Sequence, residues 1–193
     1  MAKHLVKSVL HGFFLTLVLP AAALSGFGRW EASFTIFAHL FALGPGIVGD
    51  YLRIAFYRWT LDECSLSSRI QFGSFFAHPQ ARVGAAVYIG SRCILGKATI
   101  GERTQIASGV QVLSGRRQHR HDRSGKILGS EHGAFLPVVV GADCWIGAAS
   151  IIMADVGEGS IIGAGSVVSR PIPPGSVAVG SPARVIRNAA EEA

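Results

Sequence analysis

The chain has 193 residues, enough for one repeat-built domain with an N-terminal appendage. Hydrophobic residues make up 49% of it and charged residues 16%, with a mean hydropathy of +0.40, which is apolar for a soluble domain. The net charge of +6 fits anionic lipid or a phosphate-bearing ligand, but no Lys/Arg run is interleaved with aromatic residues, so nucleic acid is not an expected partner.

Two charge-free stretches lie near the start of the chain. Residues 8–28 contain no acidic or basic residue over 21 positions, and residues 32–49 contain none over 18. Each stretch approaches the ~20 apolar residues that a helix needs to cross a bilayer. We therefore predict that residues 1–49 form an apolar helical hairpin that anchors the protein to a membrane.

Basic residues flank this pair of stretches on both sides. Lys3 and Lys7 precede the first stretch, and Arg53 and Arg58 follow the second. By the positive-inside rule both ends of the hairpin belong on the cytoplasmic side, which predicts a location on the cytoplasmic face of the inner membrane. Full spans and shallow re-entrant insertion are both open, because Pro20 and a Gly-Pro-Gly run interrupt the stretches. A secretory signal peptide and a soluble helical pair packed on the remaining chain or on a neighbouring subunit are the alternatives.

The segment 50–81 differs in character from the hairpin. Aromatic and aliphatic residues alternate there with Arg53 and Arg58, which is typical of an amphipathic linker lying on a membrane or against a domain. Phe72, Phe75 and Phe76 are expected to cap the open end of the domain that follows. We predict that this domain spans residues 82–193.

An aliphatic residue recurs about every sixth position through that domain. Small or β-branched residues commonly stand two positions before it, and Gly commonly follows it. Repetition of this length predicts a mainly β fold, a parallel β-helix of hexapeptide repeats, in which each aliphatic side chain points inward and Gly takes a tight corner. The aliphatic positions are Val83, Ile89, Leu95, Ile100, Ile106, Val112, Val140, Ile146, Ile152, Val156, Ile162 and Val168.

The repeat stops after Val112 and restarts at Val140. The interruption, residues 113–137, contains His119, His121 and His132 together with several basic residues. Insertions at solenoid corners project from one face and often carry function, so we predict that 113–137 is a catalytic loop.

The three cysteines indicate no covalent chemistry. Cys93 and Cys144 occupy inward repeat positions, and Cys64 lies before the repeats. An odd number of cysteines with this placement is typical of small buried residues in a reducing compartment.

The C-terminal third of the chain carries motifs of a known family. It reads "WIGA", then "IGAGSVV", then "PIPPGSVAVGSPARVIR", in that order and after a His-bearing loop. With these motifs the chain resembles the hexapeptide-repeat acyltransferases, the left-handed β-helix superfamily of sugar and xenobiotic O-acetyltransferases, over roughly residues 83–187. The step from Ile152 to Val156 departs from the pattern, because it is two residues short and requires a tighter corner.

The resemblance implies a loop histidine as the general base. In the family this residue takes the proton from an acceptor hydroxyl as the hydroxyl attacks the thioester of acetyl-CoA, and histidine suits the step because its pKa lies near working pH. His119 and His121 are the two candidates, with His119 favoured because it lies nearer to Val112. His121, beside Asp122, is the candidate for orienting the acceptor instead.

The resemblance also implies a donor groove between neighbouring subunits, and hence a homotrimer. Small residues allow a pantetheine arm to approach the backbone, and arginines suit the nucleotide phosphates. No metal is implied. The donor-binding positions carried over are Ala148, Gly163, Ala164, Ser169, Arg170, Arg184 and Arg187.

Three functions follow from these features. The first is a membrane-associated O-acetyltransferase that uses acetyl-CoA and acts on a glycan or a lipid-linked sugar. The second is a hexapeptide-fold carbonic anhydrase, which needs three histidines around a metal, although residues 82–112 contain none. The third is a non-catalytic solenoid that scaffolds a membrane complex.

Overall fold

The computed structural model of the chain describes residues 2–115, 122–128 and 135–188, and side chains from Leu5 onward. Three helices come first. They are α1 (Ala2–Leu24), α2 (Glu31–Ala42) and α3 (Gly46–Thr60), with a single 3₁₀ turn at Gly26–Gly28 between α1 and α2.

Short strands then wind into five coils and form three sheets. Sheet A contains β1 (Glu63–Cys64), β4 (Arg82–Val83), β7 (Ala98–Ile100) and β10 (Val138–Val140). Sheet B contains β2 (Arg69–Ile70), β5 (Tyr88–Ile89), β8 (Gln105–Ile106), β11 (Trp145–Ile146), β13 (Ile161–Ile162), β15 (Ser176–Gly180) and β16 (Ala183–Asn188). Sheet C contains β3 (Phe75–Phe76), β6 (Ile94–Leu95), β9 (Gln111–Val112), β12 (Ile151–Ile152) and β14 (Val167–Val168).

The hexapeptide pattern produces this prism directly. Every strand pair between coils is parallel, and the aliphatic positions pair in register, as Ile89 does with Ile106 and Ile106 with Ile146. These side chains are 0% exposed. Since no hexapeptide buries its aliphatic residue alone, the stacked coils supply the core. The predicted left-handed parallel β-helix is confirmed.

A glycine that follows an aliphatic residue is needed because the next coil lies close to it, and not because its φ angle is positive. A Cβ at Gly90 would lie 2.7 Å from the backbone of Ala107 in the next coil, and one at Gly84 would lie 2.8 Å from the Glu102 amide. The positive φ angles fall two residues later in the corner, for example at Arg92. Gly at the first corner position therefore sets how tightly the coils stack.

The short step at Ile152 is accommodated as the sequence requires. Val156 joins sheet A through a single bridge to Val140 instead of a full strand. Asp155 closes the shortened corner, because its carboxylate accepts a hydrogen bond from the Val139 amide at 2.8 Å.

Helix α3 covers the N-terminal end of the prism. Ile54, Phe56 and Tyr57 are buried, and the Tyr57 hydroxyl accepts a hydrogen bond from the Phe76 amide. Desolvation raises the pKa of the Tyr57 phenol, so Tyr57 stays neutral. The open end of the core is therefore sealed chiefly by α3.

A buried arginine joins this helix to its surroundings. Arg53 is 0% exposed and donates to Asp50, to the Ile70 carbonyl, to the last carbonyls of α2 and to the Gly44 carbonyl that follows them. The other carboxylate oxygen of Asp50 accepts hydrogen bonds from Arg69 and from a glutamine of the first coil. The helices and the first coil are thus one packed unit.

The first coil lies earlier in the chain than the predicted domain start. Strands β1 to β3 occupy residues 63–76, within the segment 50–81 predicted as linker and cap, and α3 extends from Gly46 across position 49. Cys64, Ile70 and Phe76 keep the six-residue spacing and are buried. The predicted boundary between segments 1–49 and 50–81 therefore falls inside α3. The solenoid starts at residue 63 and not at residue 82.

Candidate active site

Three corners connect the sheets in every coil, and we call them A–B, B–C and C–A after the sheets that they join. The predicted catalytic loop leaves the third coil at a C–A corner. Its two ends are held at one place, because the Ser114 hydroxyl accepts a hydrogen bond from the Lys97 amide at 2.8 Å and Val138 donates to the Lys97 carbonyl at 2.9 Å. The two ends of the insertion therefore lie side by side, and the insertion projects from one corner of the solenoid.

The predicted bases His119 and His121 lie outside the described residues, as does His132. Asp122 is described, and its Oδ1 accepts hydrogen bonds from the Ser124 amide, the Ser124 hydroxyl and the Lys126 amide at 2.8, 2.6 and 3.1 Å. These bonds lower the pKa of Asp122 below its usual value. In the structure this carboxylate closes a turn within the loop.

A histidine from outside the loop lies beside its returning end. His78, at the C–A corner of the first coil, contacts the Glu31 carboxylate through Nδ1, and its ring lies 5.6 Å from that of Phe135. Its side chain is 22% exposed. A histidine oriented by a carboxylate is suited to general acid–base work.

Sequence reasoning missed this pair, because 47 residues separate Glu31 from His78. The one local signal was the His-Pro pair, which lengthens the repeat step between Phe76 and Val83 to seven residues.

The predicted donor-binding residues divide between two corners. Ala148 and Ala164 stack at B–C corners of the fourth and fifth coils, joined by a hydrogen bond from Gly165 to the Ala148 carbonyl at 2.8 Å. Both residues are exposed, and within the described part of the chain neither amide donates a hydrogen bond. This corner thus offers small side chains and free amides to a ligand.

Gly163 belongs to the same corner but has a neighbour already. A Cβ there would lie 2.7 Å from Cγ1 of Val179, so Val179 occupies the adjoining space. Arg184 pairs with Val179 across the β15–β16 hairpin, which brings Arg184 near this corner. Arg187 pairs with Val177, which lies two residues from Val179 on β15, so the bulged register places Arg187 on the same face of the hairpin as Arg184.

Ser169 and Arg170 lie at a different corner, the C–A corner of the fifth coil, in the same column of corners as the insertion. Five residues of chain separate Ala164 from Ser169, a distance of at most about 18 Å. One chain therefore presents two sets of predicted donor residues at different corners of the prism.

The B–C corners of the first three coils have a different lining. An open hollow of about 480 Å³ is bordered there by Phe72, Ser91, Arg92, Ser108 and Gly109. The same column of corners thus changes from bulky and basic near the N-terminal end to small in the fourth and fifth coils.

The cysteines are buried and unreactive in this structure. Burial raises the pKa of Cys64 to about 12 and also raises the pKa values of Cys93 and Cys144. None of the three thiols is poised as a nucleophile, because the thiolate is the reactive form. Over the described residues, no three His, Cys, Asp or Glu side chains converge as a metal site.

Known proteins resemble this chain in repeat, sequence and fold. Residues 137–170 match the family model described as the hexapeptide repeat of succinyl-transferase. A provisionally named acetyltransferase of Schizosaccharomyces pombe is 41% identical over 96 residues, which cover 49% of this chain and 44% of that protein. A provisionally named acetyltransferase of Staphylococcus aureus is 49% identical over 53 residues, covering 26% of this chain and 27% of that protein. The chain thus spans less than half the length of either relative.

Solved structures share the fold. A polySia-specific acetyltransferase, NeuO, superimposes with a TM-score of 0.51 at 27% identity, covering 63% of this chain and 58% of that one. A hexapeptide-repeat-containing acetyltransferase of Vibrio cholerae gives a TM-score of 0.65 at 20% identity, covering 86% and 93%. A maltose O-acetyltransferase of Clostridium difficile gives 0.58 at 23% identity, covering 86% and 90%. The resemblance to hexapeptide-repeat acyltransferases found in the sequence is confirmed.

Proposed function

We propose that this chain, a hexapeptide-repeat β-helix of the acyltransferase type, transfers an acetyl group from acetyl-CoA to a hydroxyl of a glycan or a lipid-linked sugar. The observation that carries the proposal is the position of the insertion. The two ends of the insertion meet between the third and fourth coils, and the exposed small-residue corner of Ala148 and Ala164 begins in the fourth coil.

In this mechanism a histidine of the loop, His119 or His121, removes the proton from the acceptor hydroxyl. The oxygen attacks the thioester carbon, the C–S bond breaks, and the histidine gives the proton to the leaving sulfur, which yields the acetyl ester and the free CoA thiol. Backbone amides are suited to stabilise the oxyanion, because they are fixed donors that need no reorganisation. The buried thiols argue against an acetyl-cysteine intermediate.

The division of the donor residues between two corners supports a homotrimer. If each donor groove lies between two prisms, Ala148 and Ala164 of one subunit face the loop corner of the next, with its Ser169 and Arg170. A cyclic trimer provides three such grooves.

The helices support a membrane-bound enzyme. Leu5–Leu24 is the one described helix with the length and hydropathy to cross a membrane, and 17% of it is buried. The three helices and the segment that joins α1 to α2 carry exposed large apolar residues. These are Leu5, Val6, Val9, Phe13, Leu17, Leu24, Phe27, Trp30, Ile36, Leu40, Leu43, Ile47 and Val48.

The packing of α1 favours insertion in the plane of the membrane over a full span. Phe14 stacks on Tyr51 of α3 with ring centroids 5.2 Å apart, and the Leu15 carbonyl accepts a hydrogen bond from the Trp59 indole. Phe27, after the end of α1, also contacts Trp59. Since α3 covers the end of the solenoid, α1 runs alongside that cap over its length. A trimer of parallel prisms would then present three apolar caps on one face, towards the cytoplasmic leaflet.

The proposal that the acceptor is a glycan is supported by one of the similar solved structures. The structure at 27% identity is of a polySia-specific acetyltransferase, an enzyme whose name specifies a glycan. A membrane-bound enzyme would meet lipid-linked or growing glycans at high local concentration.

The direct test measures both halves of the reaction. Purified full-length protein in neutral detergent should release free CoA thiol from acetyl-CoA when glycan acceptors are added. Mass spectrometry of surface glycans and lipids from cells with and without the protein should reveal a difference of one acetyl group on one species. Identical spectra together with no CoA binding would contradict the proposal and favour the scaffold.

A further inference from the structure

A cavity lies where the helical cap meets the first coil, remote from the small-residue corner. Its volume is about 220 Å³. Helix α1 contributes Lys7 and His11, α3 contributes Asp50 and apolar side chains, and the A–B corner of the first coil contributes residues 66–69. The cavity is several times larger than the space that one water molecule requires, so it can hold a group the size of a phosphate.

The polar lining carries an excess of positive charge. Asp50 is the acidic residue of the lining, and it is already paired with Arg53 and Arg69. Arg69 uses Nε for this bond, and its side chain is still 55% exposed. Lys7 is exposed and forms no ion pair with any described residue. Two cations, Lys7 and Arg69, therefore remain available to an anion.

The remaining lining is apolar and continues into the exposed apolar surface. Ile47 lines the cavity and is 63% exposed, and its neighbour Val48 is 55% exposed. Tyr51 and Leu66 form further parts of the wall. A ligand that fits both halves of the lining has an anionic head and a hydrocarbon tail.

We propose that this cavity binds the phosphate head group of a lipid, with the phosphate at Lys7 and Arg69 and the tail passing Ile47 to the outer surface of the helices. The site belongs to the first coil, whereas Ala148 and Ala164 belong to the fourth and fifth. Three to four coil spacings of about 4.8 Å, or roughly 14–19 Å, separate the two. The proposal rests on the membrane placement proposed above but not on acetyl transfer.

The test uses full-length protein in neutral detergent and short-chain probes. Dihexanoyl phosphatidate should raise the Tm by roughly 5–10 °C at a hundredfold excess over its Kd, because it binds only the folded state. Dihexanoylglycerol, which has the same chains and no phosphate, should give no shift. Inorganic phosphate and CoA test whether the cavity binds a soluble phosphate compound instead. At the same concentration they should leave the Tm unchanged.

Two variants separate the cavity from general charge attraction. Lys7→Gln should reduce the shift to less than half, since it removes a head-group contact from an exposed position that the fold does not need. Arg58→Gln makes the same change in net charge at an exposed position on α3 outside the cavity, and it should keep the full shift.

Several outcomes would overturn the proposal. They are an absent shift with phosphatidate, an equal shift with the glycerol compound, an equal shift with inorganic phosphate or CoA, and a full shift in Lys7→Gln. Acetyl transfer to a soluble acceptor is measured separately. An active enzyme without a phosphatidate shift would therefore refute the lipid site alone, and an inactive protein with the shift would refute only the transferase.

Discussion

The ring of His78 lies 5.6 Å from the ring of Phe135, and this contact joins the C–A corner of the first coil to the returning end of the loop. Because His78 also contacts Glu31, the helical cap, the first coil and the loop meet at one point. His78 is therefore the residue against which the loop histidines must be compared.

His119→Ala should lower kcat by about two to four powers of ten while the Kd for CoA stays the same, since a general base acts on the proton in transit and not on donor binding. Single-turnover kinetics and CoA titration measure the two quantities. A larger loss in His121→Ala would exchange the roles of the two residues.

His78→Gln is the matched comparison, because it removes an imidazole that also has a carboxylate partner. We expect a change in KM for the acceptor and a kcat within tenfold of the unaltered protein. If His78→Gln instead removes turnover and both loop variants keep it, the base is the His78–Glu31 pair.

Replacing Arg184 and Arg187 together by Ala should raise the KM for acetyl-CoA more than it lowers kcat. The expected contacts are to a phosphate remote from the reacting carbon, and such contacts contribute uniform binding. Arg82→Ala, at an exposed arginine of sheet A, is the control. Equal KM values for acetyl-CoA and its dephospho form in the unaltered protein would show that neither arginine contacts the ribose phosphate.

A shared groove predicts complementation between two inactive variants. His119→Ala lacks the base, and Ala164→Trp fills the exposed corner where the donor is expected. In mixed trimers formed at equal ratio, about a quarter of the grooves pair an intact loop with an intact corner from the neighbour. Co-expression should thus restore about a quarter of the activity. No restoration in trimers that are shown to be mixed would place each site within one chain.

Most of the solenoid follows from the sequence, because the six-residue period is a local signal that repeats. The aliphatic positions from Val83 to Val168 predicted both where the strands lie and which of their side chains point inward. The first coil was hidden for a physical reason. Cys64 and Phe76 fill its core positions in place of aliphatic residues, and the corner at His78 adds a residue to the period.

The helical cap and the site depend on contacts that sequence spacing does not encode. An arginine in an amphipathic segment is ordinarily solvated, yet Arg53 is fully buried because carbonyls at the end of α2 and the carboxylate of Asp50 surround it. Likewise Gly163 stays a predicted donor contact, but its place in the motif did not reveal that the Val179 side chain lies beside it.

Arg53→Met should destabilise the protein by about 3–5 kcal/mol, since it removes the buried donor to Oδ1 of Asp50 and to the carbonyls of Ile70 and Gly44. Thermal unfolding would detect this as a fall in Tm of roughly 6–20 °C. Arg69→Met removes the other arginine from the same carboxylate, but its side chain is 55% exposed, so about 1 kcal/mol or less is expected. Equal losses in the two variants would mean that burial of Arg53 does not dominate the stability of the cap.

The last prediction concerns the outer side of α1. Val9, Phe13 and Leu17 are 63%, 60% and 53% exposed, and they lie on the side of the helix away from α3. If this surface enters the cytoplasmic leaflet, changing all three to Gln should weaken binding to vesicles by at least about a thousandfold, because each large apolar side chain contributes roughly 1.5–3 kcal/mol on burial. Val139, Val185 and Ile186 are exposed apolar residues on the solenoid, and the same triple change there should leave vesicle binding intact. Trimer formation and acetylation of a soluble acceptor should survive the α1 changes, since no core residue is touched. Release of the unaltered protein by alkaline carbonate would contradict insertion into the membrane, and cleavage of the C-terminus by a protease added from the periplasmic side would contradict the cytoplasmic placement.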